Sequence, residues 1–385
     1  MPRHEDQPPS RLSRRTFAKK LTATGLTLAS TGAGIEPPAH TAALPPAVPP
    51  AARKTFKGTG GELLAEQLIA SGVKYVFGNS GHGDAGFYEA LVDRPQLRYV
   101  LGLHEGPLAA MAAGYAMASG ETPYLCVAGV AGMANILGQM FDAYKTRTSL
   151  VCVAYKRELS AVSGRDVFEE LAQQEDLAGP ISKWRWIATR AETIPEVVRR
   201  AFKIARTPPF GPVYLGWNYE LLLETGVEAE IIAQSAYNVP LDLRPSQRDV
   251  ERAARMLIEA KSPVMLVGDE ISKSGGAAEV IRLAELLAIP VTTTNYEGLT
   301  NFPESHPLYL GFYSARMRFP KTQDLVLNVG ARVETLAGTR ESFLSSDADF
   351  IDLRVDSREL ADVFPTALPL ASNVKQGLTD LNAAI

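Results

Sequence analysis

The sequence predicts an α/β fold, with two parallel-sheet domains following an N-terminal export-type segment. Three observations carry that reading. Short, wholly apolar runs of strand length recur in both halves of the chain, and helical stretches separate them. Strands that are apolar throughout, rather than alternating, belong to parallel sheets covered on both faces. A polar stretch from Ala233 to Ser246, holding Pro240 and Pro245, then divides the pattern in two. A chain of 385 residues with 46% hydrophobic content has room for two such domains.

The N-terminus reads as targeting rather than fold. Arg3, Arg11, Arg14, Arg15, Lys19 and Lys20 form a basic region, and Ser13-Arg14-Arg15-Thr16-Phe17-Ala18-Lys19 fits the twin-arginine export pattern S-R-R-x-F-x-K. The weakly apolar run Leu21 to Ile35 is too short to span a bilayer, and Thr41-Ala42-Ala43 offers a small-residue cleavage site. Residues 1–43 are therefore expected to be a signal peptide that directs the protein to the periplasm, with 44–56 a Pro/Ala-rich linker. No membrane association is expected apart from export.

From Lys57 to about residue 225 strands and helices alternate. Thr59-Gly60-Gly61-Glu62 precedes an amphipathic helix, Leu63 to Ser71. The strand Val73 to Phe77 runs into Gly78-Asn79-Ser80-Gly81-His82-Gly83-Asp84 and a helix from Ala85 to Leu91. Arg98 to Leu103 reads as a buried strand. The strand Tyr124 to Ala128 ends in Gly129-Val130-Ala131-Gly132-Met133-Ala134-Asn135 before another helix, and Leu150 to Ala154 is the next strand. After a linker at 226–246, the domain at 247–385 opens with a helix, Asp249 to Ala260. Its strands are Pro263 to Val267, Pro290 to Thr294, Leu325 to Val329 and Phe350 to Arg354, with a helix from Gly276 to Leu287.

The stretch Leu97 to Gly120 organises the first domain. His104 and Glu105 follow its strand, Pro107 suits a first helical turn, and Gly120 is placed as a stop. The helix Leu108 to Ser119 is apolar on nearly every side and is expected to be buried. Glu105 is thus a carboxylate where a strand meets a helix, the position at which open α/β sheets bind ligands. An acidic residue at a helix start is also common for capping reasons alone. The glycine turns at three neighbouring strand ends add to the first reading, because glycine lets backbone approach a ligand closely. No nucleotide fingerprint is present: Gly78-Asn79-Ser80-Gly81 lacks the G-x-G-x-x-G register. The net charge of −4 argues against nucleic acid as a partner. The two cysteines, Cys126 and Cys152, lie in apolar runs and read as buried thiols rather than nucleophiles.

Several of these stretches resemble the thiamine-diphosphate-dependent decarboxylase and synthase superfamily (acetolactate synthase, benzoylformate decarboxylase and pyruvate oxidase among its members). HEG followed by AAGYA, VFGNSGHGDAGFYEAL, GMANILGQMFDAY and the tract from VFEELAQQEDLAGP to GPVYL are similar to its pyrimidine-binding domain. AKSPVMLVG, LLAIPVTTT, HPLYLG and LVLNVGAR are similar to its Rossmann-like middle domain. The resemblance implies thiamine diphosphate as cofactor and Glu105 as the catalytic carboxylate that hydrogen-bonds the aminopyrimidine ring and shares a proton with it. Asn79, Ser80, Gly81, Gly132 and Asn135 would border the cofactor, and His104 would shape the substrate pocket beside Glu105. The chain departs from the family where Gly129-Val130-Ala131-Gly132 stands in place of G-P-G, and where Tyr155-Lys156 stands in place of a Gln.

The family's third domain holds the diphosphate through a divalent metal and a G-D-G motif, which does not occur here. No metal ligand is assigned in this chain. Mg2+ is expected only through a missing or partner domain, supplied by a separate chain in a homo- or hetero-oligomer. A flavin (FAD) is possible but unsupported, since Leu310-Gly311-Phe312-Tyr313-Ser314 lacks the His-Gly pair and Ala331-Arg332-Val333-Glu334-Thr335 lacks the paired aspartates of flavin-holding synthases. Whether the chain is an enzyme is left open. It is expected to be the cofactor-binding subunit or fragment of a 2-oxo acid decarboxylase or carboligase. The alternative is a non-catalytic exported binding protein or truncated remnant.

Overall fold

The computed structural model describes residues 52–79, 81–156, 171, 173–239, 241–294, 297–312, 323–333, 347–362 and 364–385. The segment expected to be an export signal (1–43) and Ser80 lie outside the described residues. Strand β1 (Arg53–Gly58) leads into α1 (Gly60–Ala70), which begins with a capping box. Thr59 Oγ1 accepts from the Glu62 N–H at 3.1 Å, and Glu62 Oε2 accepts from the Thr59 N–H at 2.7 Å. There follow β2 (Tyr75–Gly78), α2 (Ala85–Val92), β3 (Arg98–Leu101), α3 (Glu105–Ser119), β4 (Tyr124–Val127), α4 (Gly129–Lys145) and β5 (Leu150–Ala154). The first domain closes with β6 (Arg185–Ala188), α5 (Ile194–Arg206), β7 (Pro212–Trp217), α6 (Glu220–Leu223) and β8 (Val227–Ile232).

Its main sheet has six strands, all parallel, in the order β3-β2-β4-β5-β7-β6. Two apolar layers cover it. On one face Leu63, Leu68, Phe87, Phe202 and Trp217 pack from α1, α2, α5 and the sheet. On the other Leu108, Ala112, Met133, Ile136 and Met140 of α3 and α4 pack against Leu125, Cys152 and Tyr214. Both cysteines are buried, as expected, and burial pushes both thiols up.

The second domain comprises α7 (Gln247–Glu259), β9 (Pro263–Val267), α8 (Glu270–Ser274), α9 (Ala277–Leu287), β10 (Val291–Thr293), β11 (Tyr309–Phe312), β12 (Leu325–Val329), β13 (Asp349–Arg354), β14 (Leu368–Ala371) and α10 (Val374–Ala384). Its sheet is again six-stranded and wholly parallel, in the order β11-β10-β9-β12-β13-β14. The expected α/β architecture of two parallel-sheet domains is what the chain adopts.

Four local expectations need correction. The strand before Glu105 is the edge of its sheet, so Tyr99 and Leu101 are exposed rather than buried. Helix α3 is not buried all round: Leu108, Ala109, Ala112 and Ala116 face the core, while Met111 is 47% exposed. Apolarity alone cannot tell a buried helix from one with a bare apolar face. Helix α4 starts at Gly129, so Gly132 and Asn135 sit on its first two turns and not in a loop. The stretches read as linkers also carry structure, because β1 begins at Arg53 and pairs antiparallel with β8. That pairing joins residues more than 150 positions apart, which no local pattern reveals.

Candidate functional site

In the first sheet the chain leaves β2 toward β3 and returns to β4 on the other side of β2. The crevice outside the carboxyl ends of β2 and β4 is therefore the topological switch point, where open parallel sheets bind their ligands. Asn79 follows β2 directly, Gly132 and Asn135 lie on the helix that follows β4, and Glu105 is the first residue of the helix that follows β3. The fold thus brings together Asn79, Glu105 and the Gly132–Asn135 turn, three stretches well separated in sequence.

Glu105 is held from several sides. Asn135 Nδ2 donates to its Oε2 at 3.0 Å. Gly132 packs so closely that an added Cβ would come within 3.2 Å of Glu105 Cγ. The side chain is only 15% exposed. Burial pushes its carboxyl up, but hydrogen bonds from Asn135, its own backbone N–H and Asn79, with His104 nearby, outweigh burial and hold it below the ordinary carboxylate range. The N-terminus of α3 favours the same anionic form. His104 caps that helix, its Nδ1 accepting from the Gly106 N–H at 3.1 Å, and its side chain is 61% exposed. It shapes the helix start, and its Nδ1 stands 4.0 Å from Glu105 Oε2.

The Asn79 side-chain oxygen is buried without a hydrogen-bond partner. A buried orphan acceptor beside an anionic carboxylate suits a ligand edge rich in N–H donors, because each such donor removes a desolvation cost. An aminopyrimidine ring protonated at a ring nitrogen presents such an N–H, so the residues fit the cofactor that the sequence implies. Gly81 has open space where a Cβ would project. Tyr155 is buried with its ring against Gly83, where an added Cβ would come within 2.4 Å, and so fills the neighbouring part of the strand-end crevice. Lys156, 13% exposed, stands 3.5 Å from Glu175.

The second sheet has its own switch point, between β9 and β12, and there the chain's own carboxylates occupy the backbone donors. Glu297 Oε2 accepts from the Asp269 N–H at 2.6 Å and its Oε1 from the Arg332 N–H at 3.1 Å. Glu270 Oε2 accepts from the Val355 N–H at 2.8 Å. Asp269 takes the Gly298 and Leu299 N–H groups and the Asn301 amide. Sequence reading singled out neither Glu270 nor Glu297, nor the Arg147 that reaches Glu270 at 3.1 Å. Their neighbours come from distant loops, and no spacing marks them.

Among the described residues no group of three or more His, Cys, Asp or Glu side chains could hold a metal ion, and no helix is long and apolar enough to cross a membrane.

Comparison with known proteins accounts for both domains. Residues 58–177 match the family "Thiamine pyrophosphate enzyme, N-terminal TPP binding domain", and residues 250–381 match "Thiamine pyrophosphate enzyme, central domain". The chain is 30% identical over 342 residues to a probable acetolactate synthase large subunit of Methanocaldococcus jannaschii, covering 85% of this chain and 56% of that protein. It is 26% identical over 333 residues to the acetolactate synthase isozyme 3 large subunit of Escherichia coli, covering 84% and 57%. Among solved structures, a thiamine diphosphate-dependent 4-hydroxybenzoylformate decarboxylase from Rhodococcus jostii RHA1 superposes with a TM-score of 0.75 at 28% identity, covering 84% of this chain and 62% of that one. The chain therefore spans a little over half the length of the curated relatives it matches. With both domains matched in order, it belongs to the thiamine pyrophosphate enzyme family, whose N-terminal and central domains it carries.

Proposed function

We propose that this chain provides the pyrimidine-recognising half of a thiamine-diphosphate decarboxylase or carboligase acting on 2-oxo acids, acetolactate-synthase-like in its reaction. The observation that carries the reading is Glu105, an anionic, largely enclosed carboxylate at a sheet's switch point. The cofactor, when bound, brings nucleophilic addition to a 2-oxo acid and an electron sink for the bond that breaks. The protein's part is orientation and proton control. Glu105 accepts an N–H of the aminopyrimidine ring and exchanges a proton there. Asn135 fixes its Oε2, which aims the other oxygen. Asn79 offers its orphan oxygen to the same ligand edge. Gly132 keeps the space beside Glu105 clear, and Gly81 leaves open space after β2, while Ser80 lies outside the described residues.

We assign the diphosphate and its Mg2+ to a separate chain, so that activity belongs to an oligomer. The exposed apolar side chains just before and along the helix that Glu105 opens support this: Leu103 is fully exposed, Leu101 66% and Met111 nearly half. An apolar patch of that kind marks a protein interface. The twin-arginine pattern supports export of the assembled, folded complex.

Calorimetric titration of the full chain with thiamine diphosphate and Mg2+ tests the reading. The expected result is binding by the wild type and binding weakened about tenfold or more in Glu105→Gln, the cost of losing a charge-assisted hydrogen bond. Equal binding by both proteins, at equal melting temperature, would refute the assignment of Glu105.

A further inference from the structure

The amino edge of the first sheet meets the carboxyl edge of the second, and the contact is reciprocal. Arg147 reaches from the turn before β5 to Glu270, Glu359 and Asp356. Lys273 donates back to the Thr146 carbonyl, and Arg332 to the Lys145 carbonyl. Arg147 holds a left-handed backbone, φ 53°, a conformation that costs free energy in a residue with a side chain and that the contacts around it must sustain.

Beside this contact lies a crevice of about 470 Å³, within the size range of small-molecule sites. Both domains line it. The first contributes Lys145, Arg147 and Lys183, and the second contributes Arg332 and Arg358. Two carboxylates stand against these five cations, Asp356 and Glu359. Both are already engaged: Asp356 with Arg358 at 2.8 Å, and Glu359 with Arg354 at 3.2 Å as well as with Arg147. Lys183 donates only to neutral partners, the carbonyls of Ile204 and Thr207 at the end of α5. Burial, followed by the like charges of Lys203 and Arg358, pulls its ammonium down to about 8, with Asp356 opposing and Arg147 adding a smaller push. Among the described residues no carboxylate pairs with Lys145 or Lys183, so these two bring positive charge to the lining that those residues leave unpaired. Tyr144 and Phe210 add an aromatic wall.

We propose that this interdomain crevice binds a small oxyanion of charge −2 or greater, of the phosphoryl or polycarboxylate class, held jointly by basic side chains of both domains. A planar guanidinium pairs with either kind of oxyanion through two parallel N–H bonds. A dinucleotide is disfavoured, because the neighbouring switch point has its backbone donors taken by Glu297, Glu270 and Asp269. A ligand that bridges the domains also stabilises their setting, since it binds the joined arrangement and not the separated one.

The test is a calorimetric titration of the full chain with pyrophosphate and, separately, citrate, at low and high salt, with melting temperatures recorded alongside. The comparison protein is the double variant Lys145→Gln/Arg358→Gln, whose substituted side chains are exposed, that of Arg358 at 79%, so the fold is not at stake. The expected result is binding of at least one anion by the wild type, weakened by salt and reduced about tenfold or more in the double variant. The bound anion also raises the wild-type melting temperature and leaves that of the double variant nearly unchanged. Pyrophosphate binding without citrate assigns the site to phosphoryl ligands, and the reverse assigns it to polycarboxylates. Failure of both anions to bind, or undiminished binding by the double variant, overturns the proposal. Glu105→Gln is expected to bind the anion as the wild type does, which separates this site from the cofactor reading.

Discussion

Glu270 makes the stability of this protein depend on pH in an unusual direction. Its carboxyl is buried at the domain contact, and burial raises it from 4.5 to about 7, although the Val355 N–H, Arg147 and Arg354 all favour the charged form and only Glu359 adds to the rise. A carboxyl that binds its proton more tightly folded than unfolded stabilises the fold below about pH 4.5. That stabilisation is lost as pH climbs through 7. Moving one carboxyl from 4.5 to about 7 corresponds to about 3 kcal/mol. Rearrangement of the surrounding ion pairs would leave on the order of 1 to 3 kcal/mol. Glu297 and Asp352, also raised by burial, act in the same direction. Carboxyls held low, such as Glu66 and Asp356, act with the opposite sign but only at more acidic pH. Lys183, pulled down to about 8, changes stability only at more alkaline pH. Urea unfolding and thermal melts at pH 5 and pH 7.5 therefore read the raised carboxyls. The wild type should be less stable at pH 7.5, with a fall in apparent Tm of about 2–4 °C per kcal/mol for a domain of this size. Glu270→Gln, which cannot ionise, should lose a third to a half of that fall and be no less stable than the wild type at pH 7.5. A wild type whose stability is flat or rising from pH 5 to pH 7.5 refutes the reasoning, and so does a variant with an undiminished fall.

Two further outcomes follow from the packing. Asn135→Ala removes the donor at 3.0 Å from Glu105 Oε2 and should raise the Glu105 pKa, because a charge-assisted hydrogen bond to the ionised form is lost, as read by carboxyl carbon NMR titration. Asn135 is exposed, so the melting temperature should hold. Gly61→Ala would place a Cβ 2.2 Å from the Gly86 carbonyl oxygen, a backbone atom that cannot turn aside. It should cost about 3 kcal/mol or more of stability, whereas Gly81→Ala, with open space around it, should melt as the wild type does.

Much of the fold was legible because parallel strands covered on both faces are apolar at every position. Leu150–Ala154, Pro263–Val267 and Leu325–Val329 emerge as strands with the bounds that the sequence predicts. Where the signal was composition without periodicity, it misled. The Ala- and Met-rich helix after Glu105 reads as buried, yet one of its faces is bare. Glu105 was legible as a candidate through its place between strand and helix, and the resemblance drew Asn79, Gly132 and Asn135 to it.

The sequence by itself determined the α/β class, the two domains and the family, since those follow from local hydrophobic pattern and short motifs. Only the tertiary structure decided that Asn135 braces Glu105, that Arg147 is shared among three carboxylates, and that five cations from two domains line one crevice. Charge proximity of that kind arises between loops far apart in the chain. The Coulomb energy depends on distance in space and on burial, and neither is written in the spacing of residues along the polypeptide.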